Sequence, residues 1–204
     1  MASREQVFLV ACYLLALSAV EGSLVATKAS ALEFAELEAH PVTATLIAEH
    51  ASIQRDAQTR IGVLFDIEDG WHIYAQDPGD AGLPTRIEWR CAAVDAVDFA
   101  PDFPDIPCPD GVFGPVFWPA PEEFLDPGDI RTFGYTGKVL LFSTLQTPER
   151  CGVGLRVTAD VRWLACKDVC IPGKADLELV LPLSPDPPAP SPHAYLFQVT
   201  ADSP

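Results

Sequence analysis

From Val153 to Ala165 the chain alternates without a break. Val153, Leu155, Val157, Ala159, Val161 and Trp163 share one parity, and Arg156, Thr158, Asp160 and Arg162 share the other. A period of two puts successive side chains on opposite faces of a strand, so this run predicts one buried and one wet face. A second run sets Ala175, Leu177, Leu179 and Leu181 against Asp176 and Glu178. Two such runs around a short turn predict a hairpin. Cys166-Lys-Asp-Val-Cys170, followed by Ile-Pro-Gly, falls at its tip. Cross-strand Cα separations of about 4.5–5.5 Å there match what a disulfide requires. If the alternation continues, Cys166 lies on the polar face and the pair is accessible.

The remaining pattern also favours strands. They are expected at Val42–Ala48, Arg60–Glu68, a short aromatic Trp71–Tyr74, Thr85–Arg90 and a strongly apolar Lys138–Gln146. Between them lie segments dense in Pro, Gly and Asp, notably Asp77–Pro84 and Pro101–Gly128. Proline breaks ladders and fixes turns. Many short strands joined in this way suggest an all-β sandwich. Residues 27–39 are rich in Ala, Leu and Glu and suit a short helix or an ordered lead-in. Residues 184–204 form a tail whose Pro-rich start, Ser184 to Pro192, predicts a stiff extended stretch.

Composition narrows the function classes. A chain of 204 residues favours one domain plus appendages, and 49% hydrophobic content supplies a core. A formal net charge of −16 argues against nucleic acid and anionic membrane surfaces. Residues 1–26 read as a secretory signal: Arg4, an apolar stretch from Val7 to Val20, then small residues. That stretch is short for a membrane span. Leu9-Val10-Ala11-Cys12 has the look of a lipoprotein cleavage box, but its apolar stretch is short and runs on past it.

Export implies an oxidising compartment. Of six cysteines, loss of Cys12 with the signal leaves Cys91, Cys108, Cys151, Cys166 and Cys170. Five is odd, so at least one thiol is free or shared with a partner. Among Cys91, Cys108 and Cys151 one bridge is expected, in any of three pairings.

Three chemistries fit Cys166 and Cys170. Closing a five-residue loop stabilises by roughly 2 kcal/mol in a chain-entropy estimate, and a sixty-residue loop from Cys91 to Cys151 by roughly 4 kcal/mol. A short-loop bridge is a poor staple and a better redox switch. A purely structural bridge remains open, as does Cu(I) held by Cys166, Cys170 and His72, because soft thiolates suit that ion. In Gly70-Trp-His-Ile-Tyr74, His72 and Tyr74 share one strand face, and Trp71 and Ile73 share the other. His72 is then either a surface residue or a neighbour of the cysteines. Nothing in the sequence calls for a cofactor.

Several segments occur in a telling order: Asp69-Gly-Trp-His-Ile-Tyr74, Asp77-Pro-Gly-Asp-Ala-Gly-Leu-Pro84, Ile87-Glu-Trp89, Trp118-Pro-Ala-Pro-Glu122, Gly134-Tyr-Thr-Gly-Lys-Val-Leu140 and Trp163-Leu-Ala-Cys-Lys-Asp-Val-Cys-Ile-Pro172. Together they resemble the N-terminal periplasmic domain of the DsbD/ScsB thiol:disulfide interchange proteins, over residues 40–183. The resemblance implies an immunoglobulin-like β-sandwich carrying a redox hairpin, and the activity of a periplasmic protein-disulfide reductase. It implies electrons drawn from a thioredoxin-like domain of a membrane-bound reductant, acting in trans. They pass to oxidised periplasmic proteins, including disulfide isomerases and cytochrome c maturation factors. It makes Cys170 the attacking thiol and Cys166 the resolving one, flanked by His72 and Tyr74. A capping aromatic is expected among Phe117, Trp118 and Phe124. Known members have a longer spacing between the two cysteines, and the three additional cysteines are foreign to the motif.

Overall fold

The structure is a computed structural model describing residues 40–94, 106–109, 112–126, 128–149 and 151–201. The strands are β1 (Val42–Ala48), β2 (Gln58–Ile67), β3 (His72–Gly79), β4 (Arg86–Val94), β5 (Ile106–Pro107), β6 (Glu122–Asp126), β7 (Ile130–Tyr135), β8 (Lys138–Gln146), β9 (Gly154–Cys166) and β10 (Cys170–Pro182), followed by helix α1 (Ala194–Ala201). The signal sequence and lead-in read in residues 1–39 lie outside the described residues.

Strands β1, β2 and β8 form one antiparallel sheet. The second sheet is built around β9. Strand β10 pairs with β9 along its whole length, from Pro182 opposite Gly154 to Cys170 opposite Cys166. The other edge of β9 is shared end to end. β4 takes residues 154–162, and β3 takes Ala165 and Cys166. Strands β7 and β6 continue outward from β3, and β5 from β4. The two sheets make an immunoglobulin-like β-sandwich.

The alternation explains the core. Leu155, Val157, Ala159 and Val161 point inward from β9, essentially without exposure, and join Ile61, Val63 and Phe65 of β2 with Leu141 and Leu145 of β8. Each such side chain contributes roughly 1.5–3 kcal/mol by leaving water. Trp163 continues the inward row, edge-on to Phe65 at 5.6 Å, and Ala165 ends it. Its indole lies across Gly173 of β10, where a Cβ would fall 2.1 Å from Trp163 Cε2. Any side chain at 173 would therefore displace the ring.

Four expectations need correction. β3 runs on through Asp77-Pro-Gly79, read above as turn, because a bulge between Tyr74 and Gly79 absorbs the proline. β6 arises inside the Pro/Gly-rich segment, and β7 just beyond it. His40 and His50, expected to face solvent because they sit in no motif, are half-buried: His40 meets the edge of Trp163, and His50 bonds Thr59. The tail is not simply extended. Ala189 O accepts from Ala51 N, Ser191 N donates to Glu49 O, and α1 then covers the outer face of the smaller sheet. There Phe197, fully buried, packs with Ile47, Leu140 and Phe142.

An ion pair locks that seam. Arg60 donates Nε to Glu49 Oε2 at 2.8 Å and Nη1 to Phe197 O at 2.9 Å, and its guanidinium lies over the Phe142 and Phe197 rings. The Arg60 hydrogen bond holds the Glu49 carboxyl below its ordinary value. A depressed folded pKa gives stabilisation that is complete above the unfolded value of about 4.3 and lost as pH falls through the folded one. Glu49→Gln is therefore expected to lower stability by about 1–2 kcal/mol at neutral pH. The gap from the parent should close below about pH 4, as read by urea unfolding at a series of pH values. A gap independent of pH would show that the carboxylate charge is not what matters.

Candidate redox site

Cys166 ends β9 and Cys170 begins β10, so the hairpin sets them directly opposite each other. They are joined with S–S 2.03 Å and Cα–Cα 4.2 Å. Lys167, Asp168 and Val169 make the tip, closed by Lys167 N donating to Val169 O at 3.1 Å. The two sulfurs differ in environment. Cys166 is 3% exposed, although its parity belongs to the outer face, whereas Cys170 is exposed. The expectation that Cys166 would be accessible is thus corrected. An outer-face position is wet only where no neighbour stands over it, and Cys166 is an inner rung with Cys170 on one side and His72 on the other.

The aromatic neighbours sort clearly. His72 is the cross-strand partner of Cys166. Tyr74, two residues on, meets the His72 ring edge-on at 5.2 Å. Phe124 of β6 stacks on His72 at 4.6 Å with an interplanar angle of 21°. His72, Tyr74 and Phe124 therefore gather beside the cysteines. Phe117 and Trp118 do not join them. Phe117 stacks on Phe142 at 4.7 Å on the outer face of the smaller sheet. Trp118 packs against the main core and lines a groove with Thr85, Ile87 and Val116.

A contributor not singled out from the sequence is Gly82. Its φ of +95° suits glycine, and a Cβ there would lie 2.4 Å from Tyr74 Cε1. The Asp77–Pro84 loop thus presses directly on the Tyr74 ring and fixes it. The two glycines and two prolines of that motif mark a tight loop, but only the fold shows which ring it touches. Around the pair, Val169 is 62% and Ile171 36% exposed, leaving an apolar rim at the tip.

The other cysteines lie far along β9. Cys91, opposite Val157, bridges to Cys108 with Cα–Cα 5.4 Å. That is roughly 30 Å from Cys166, at about 3.3 Å per residue. Among the described residues Cys151 is the unbridged cysteine, and it is fully buried. Burial raises its thiol pKa, partly offset by Arg55, whose Nη1 lies 3.9 Å from the sulfur. A buried thiol of raised pKa is a poor nucleophile. No group of three or more His, Cys, Asp or Glu among the described residues is arranged to hold a metal ion. No helix among them is long and apolar enough to cross a membrane.

What the arrangement offers is one bridged pair of adjacent cysteines, unequal in access, at the tip of a fully paired hairpin. No curated protein matches the chain. The fold is similar to the N-terminal periplasmic domain of ScsB from Proteus mirabilis, with 20% identity and a TM-score of 0.50, covering 79% of this chain and 53% of that one. The chain thus spans about half the length of that solved structure. The reduced N-terminal domain of DsbD from Neisseria meningitidis aligns at 16% identity and a TM-score of 0.35, covering 72% of this chain and 90% of that one. The family profile described as "Thiol:disulfide interchange protein DsbD, N-terminal" matches residues 43–182, and so spans every strand from β1 to β10, the cysteine pair included. The chain belongs to the family of DsbD N-terminal thiol:disulfide interchange domains.

Proposed function

We propose that this domain relays electrons in the periplasm, from a thioredoxin-like domain of a membrane-bound reductant to oxidised partner proteins. The observation that carries the reading is the bridged Cys166–Cys170 pair with one buried and one exposed sulfur. In loading, a donor thiolate attacks Cys170 Sγ and expels Cys166 as thiolate. The donor's second thiolate then attacks the mixed disulfide at the donor sulfur, leaving both Cys166 and Cys170 reduced and the donor oxidised. In delivery, Cys170 thiolate attacks the acceptor's disulfide, one acceptor sulfur departs as thiolate, and a new mixed disulfide forms. Cys166 then attacks Cys170 Sγ and releases the acceptor as a dithiol. Two electrons pass in each stage, and no cofactor takes part.

Cys166→Ala is therefore expected to accumulate mixed disulfides through Cys170 in cells, because the resolving thiol is gone. Cys170→Ala should trap less than about a tenth as much. Gel shifts lost on reduction, with peptide mapping of the linked cysteine, read the result. Equal trapping by both variants, or trapping through Cys166 alone, would reverse the roles.

Phe124 acts as the cap in this reading, held against His72 until a partner displaces it. Phe124→Ala should speed oxidation of the reduced pair by diamide at least about threefold. Stability should fall by less than about 1.5 kcal/mol, since the ring is only half-buried. An unchanged rate would remove Phe124 from this role.

A further inference from the structure

The outer face of the β4–β9–β10 sheet is banded by charge, and the bands run across the strands in register. Cys170, Cys166 and His72 form the first row. Two residues further along, Pro172 and Leu164 form an apolar row. The next row is Lys174, Arg162 and Arg86, three cations side by side on three strands. Beyond it lie Asp176, Asp160 and Glu88, three anions. All share the parity of Cys166 and Cys170, so the bands lie on the same face as the redox pair. All three cations are exposed.

Like charges directly opposite one another destabilise a sheet. Here three of the chain's thirteen Lys and Arg stand in one such row, in a molecule of net charge −16. Part of the repulsion is relieved by the anionic row: Arg162 Nε donates to Asp160 Oδ1 at 3.0 Å, and Lys174 pairs with Asp176 at 3.1 Å. That pairing draws the Arg162 and Lys174 head groups toward the anionic row, and all three cations stay exposed. The row lies about 13 Å from the cysteine row, four residues at about 3.3 Å each. This distance is within the footprint of a protein docked on Cys170, since a standard interface spans about 800 Å² per partner.

We propose that this cation row is an electrostatic docking contact for exchange partners, recognising carboxylates that a partner carries about 13 Å from its own reacting cysteine. The inference rests on the exchange reading above. The row selects partners by charge and orients them before sulfur meets sulfur. Long-range repulsion from the net negative molecule disfavours acidic partners in general, so a local row of cations beside the site discriminates by position as well as by sign.

Two synthetic peptides test this, each with one cysteine. In one, three glutamates begin four residues from the cysteine; in the other, glutamines take their places. Their rates of opening the oxidised Cys166–Cys170 bridge are measured at about 20 mM ionic strength. The comparison is between the parent, Arg86→Gln with Lys174→Gln, and a control of equal charge change, Arg90→Gln with Lys138→Gln. The ratio of acidic to neutral peptide rates should fall at least about threefold in the row variant and stay within about 1.5-fold in the control. Equal ratios in both variants would overturn the proposal. Neutral 2-mercaptoethanol provides the separate check. If it too fails to open the bridge in the parent protein, the exchange reading itself fails, whatever the peptides do.

Discussion

Phe197→Ala is expected to lower the thermal midpoint by roughly 10 °C. Its ring is fully buried against Ile47, Leu140 and Phe142, and the Phe197 carbonyl accepts from Arg60. Truncating a buried phenylalanine costs about 3–5 kcal/mol, and each kcal/mol shifts the midpoint by about 2–4 °C at this size. The seam lies on the outer face of β8, whereas the cysteine pair belongs to the other sheet. Opening of the Cys166–Cys170 bridge by 2-mercaptoethanol should accordingly stay unchanged at 25 °C. Calorimetry and a thiol-release assay on the same preparation read both quantities. A midpoint drop under about 2 °C would mean that α1 contributes nothing to the sandwich.

The second large effect separates the two disulfides. Cys91–Cys108 spans a sequence separation of 17, for which the chain-entropy estimate is about 3 kcal/mol. Cys166–Cys170 spans only 4, at the end of a hairpin whose strands are already paired along β9. Cys91→Ser with Cys108→Ser should lower the midpoint by roughly 8 °C and leave the rate of bridge opening intact. Cys166→Ser with Cys170→Ser should shift the midpoint by roughly 5 °C, in line with the smaller chain-entropy term of its short loop, and abolish exchange. If the first variant loses exchange while still folded, the electron path includes Cys91 or Cys108 and the two-cysteine mechanism is incomplete. Retained exchange in the second variant would dismiss the pair altogether.

The parts of the fold that were legible are those where one face is buried along a whole strand. Leu155–Ala165 and Ala175–Leu181 announce β9 and β10 because every second side chain packs on the core, whereas Val153, the first residue of the predicted run, lies outside β9 and is exposed. β7 was hidden: Ile130 and Arg131 are exposed, and Gly134 is needed for a close approach to Ile73 O, so no alternation survives. β6 was masked by its acidic start and flanking prolines. α1 escaped notice because, among its described side chains, Phe197 is the fully buried one with Leu196 partly buried beside it, too little to make a stripe. At the site, parity set the cysteines opposite each other and put His72 and Tyr74 on one face; it was the family resemblance that placed those two rings beside the pair. The choice of Phe124 over Phe117 and Trp118 could not, because it depends on which of two sheets each ring faces.

The continuous ladder between β9 and β10 has a wider consequence. Every residue from Gly154 to Cys166 has a partner on β10, so the backbone at the tip is fixed with or without the sulfur bond. Reduction and oxidation then change two atoms and little else. The oxidised and reduced forms are therefore expected to share nearly the same backbone. A partner that must dock on one form and leave the other cannot tell them apart by shape. In the proposed relay, directionality would come from the thermodynamic gradient between donor and acceptor rather than from a change of shape in this domain.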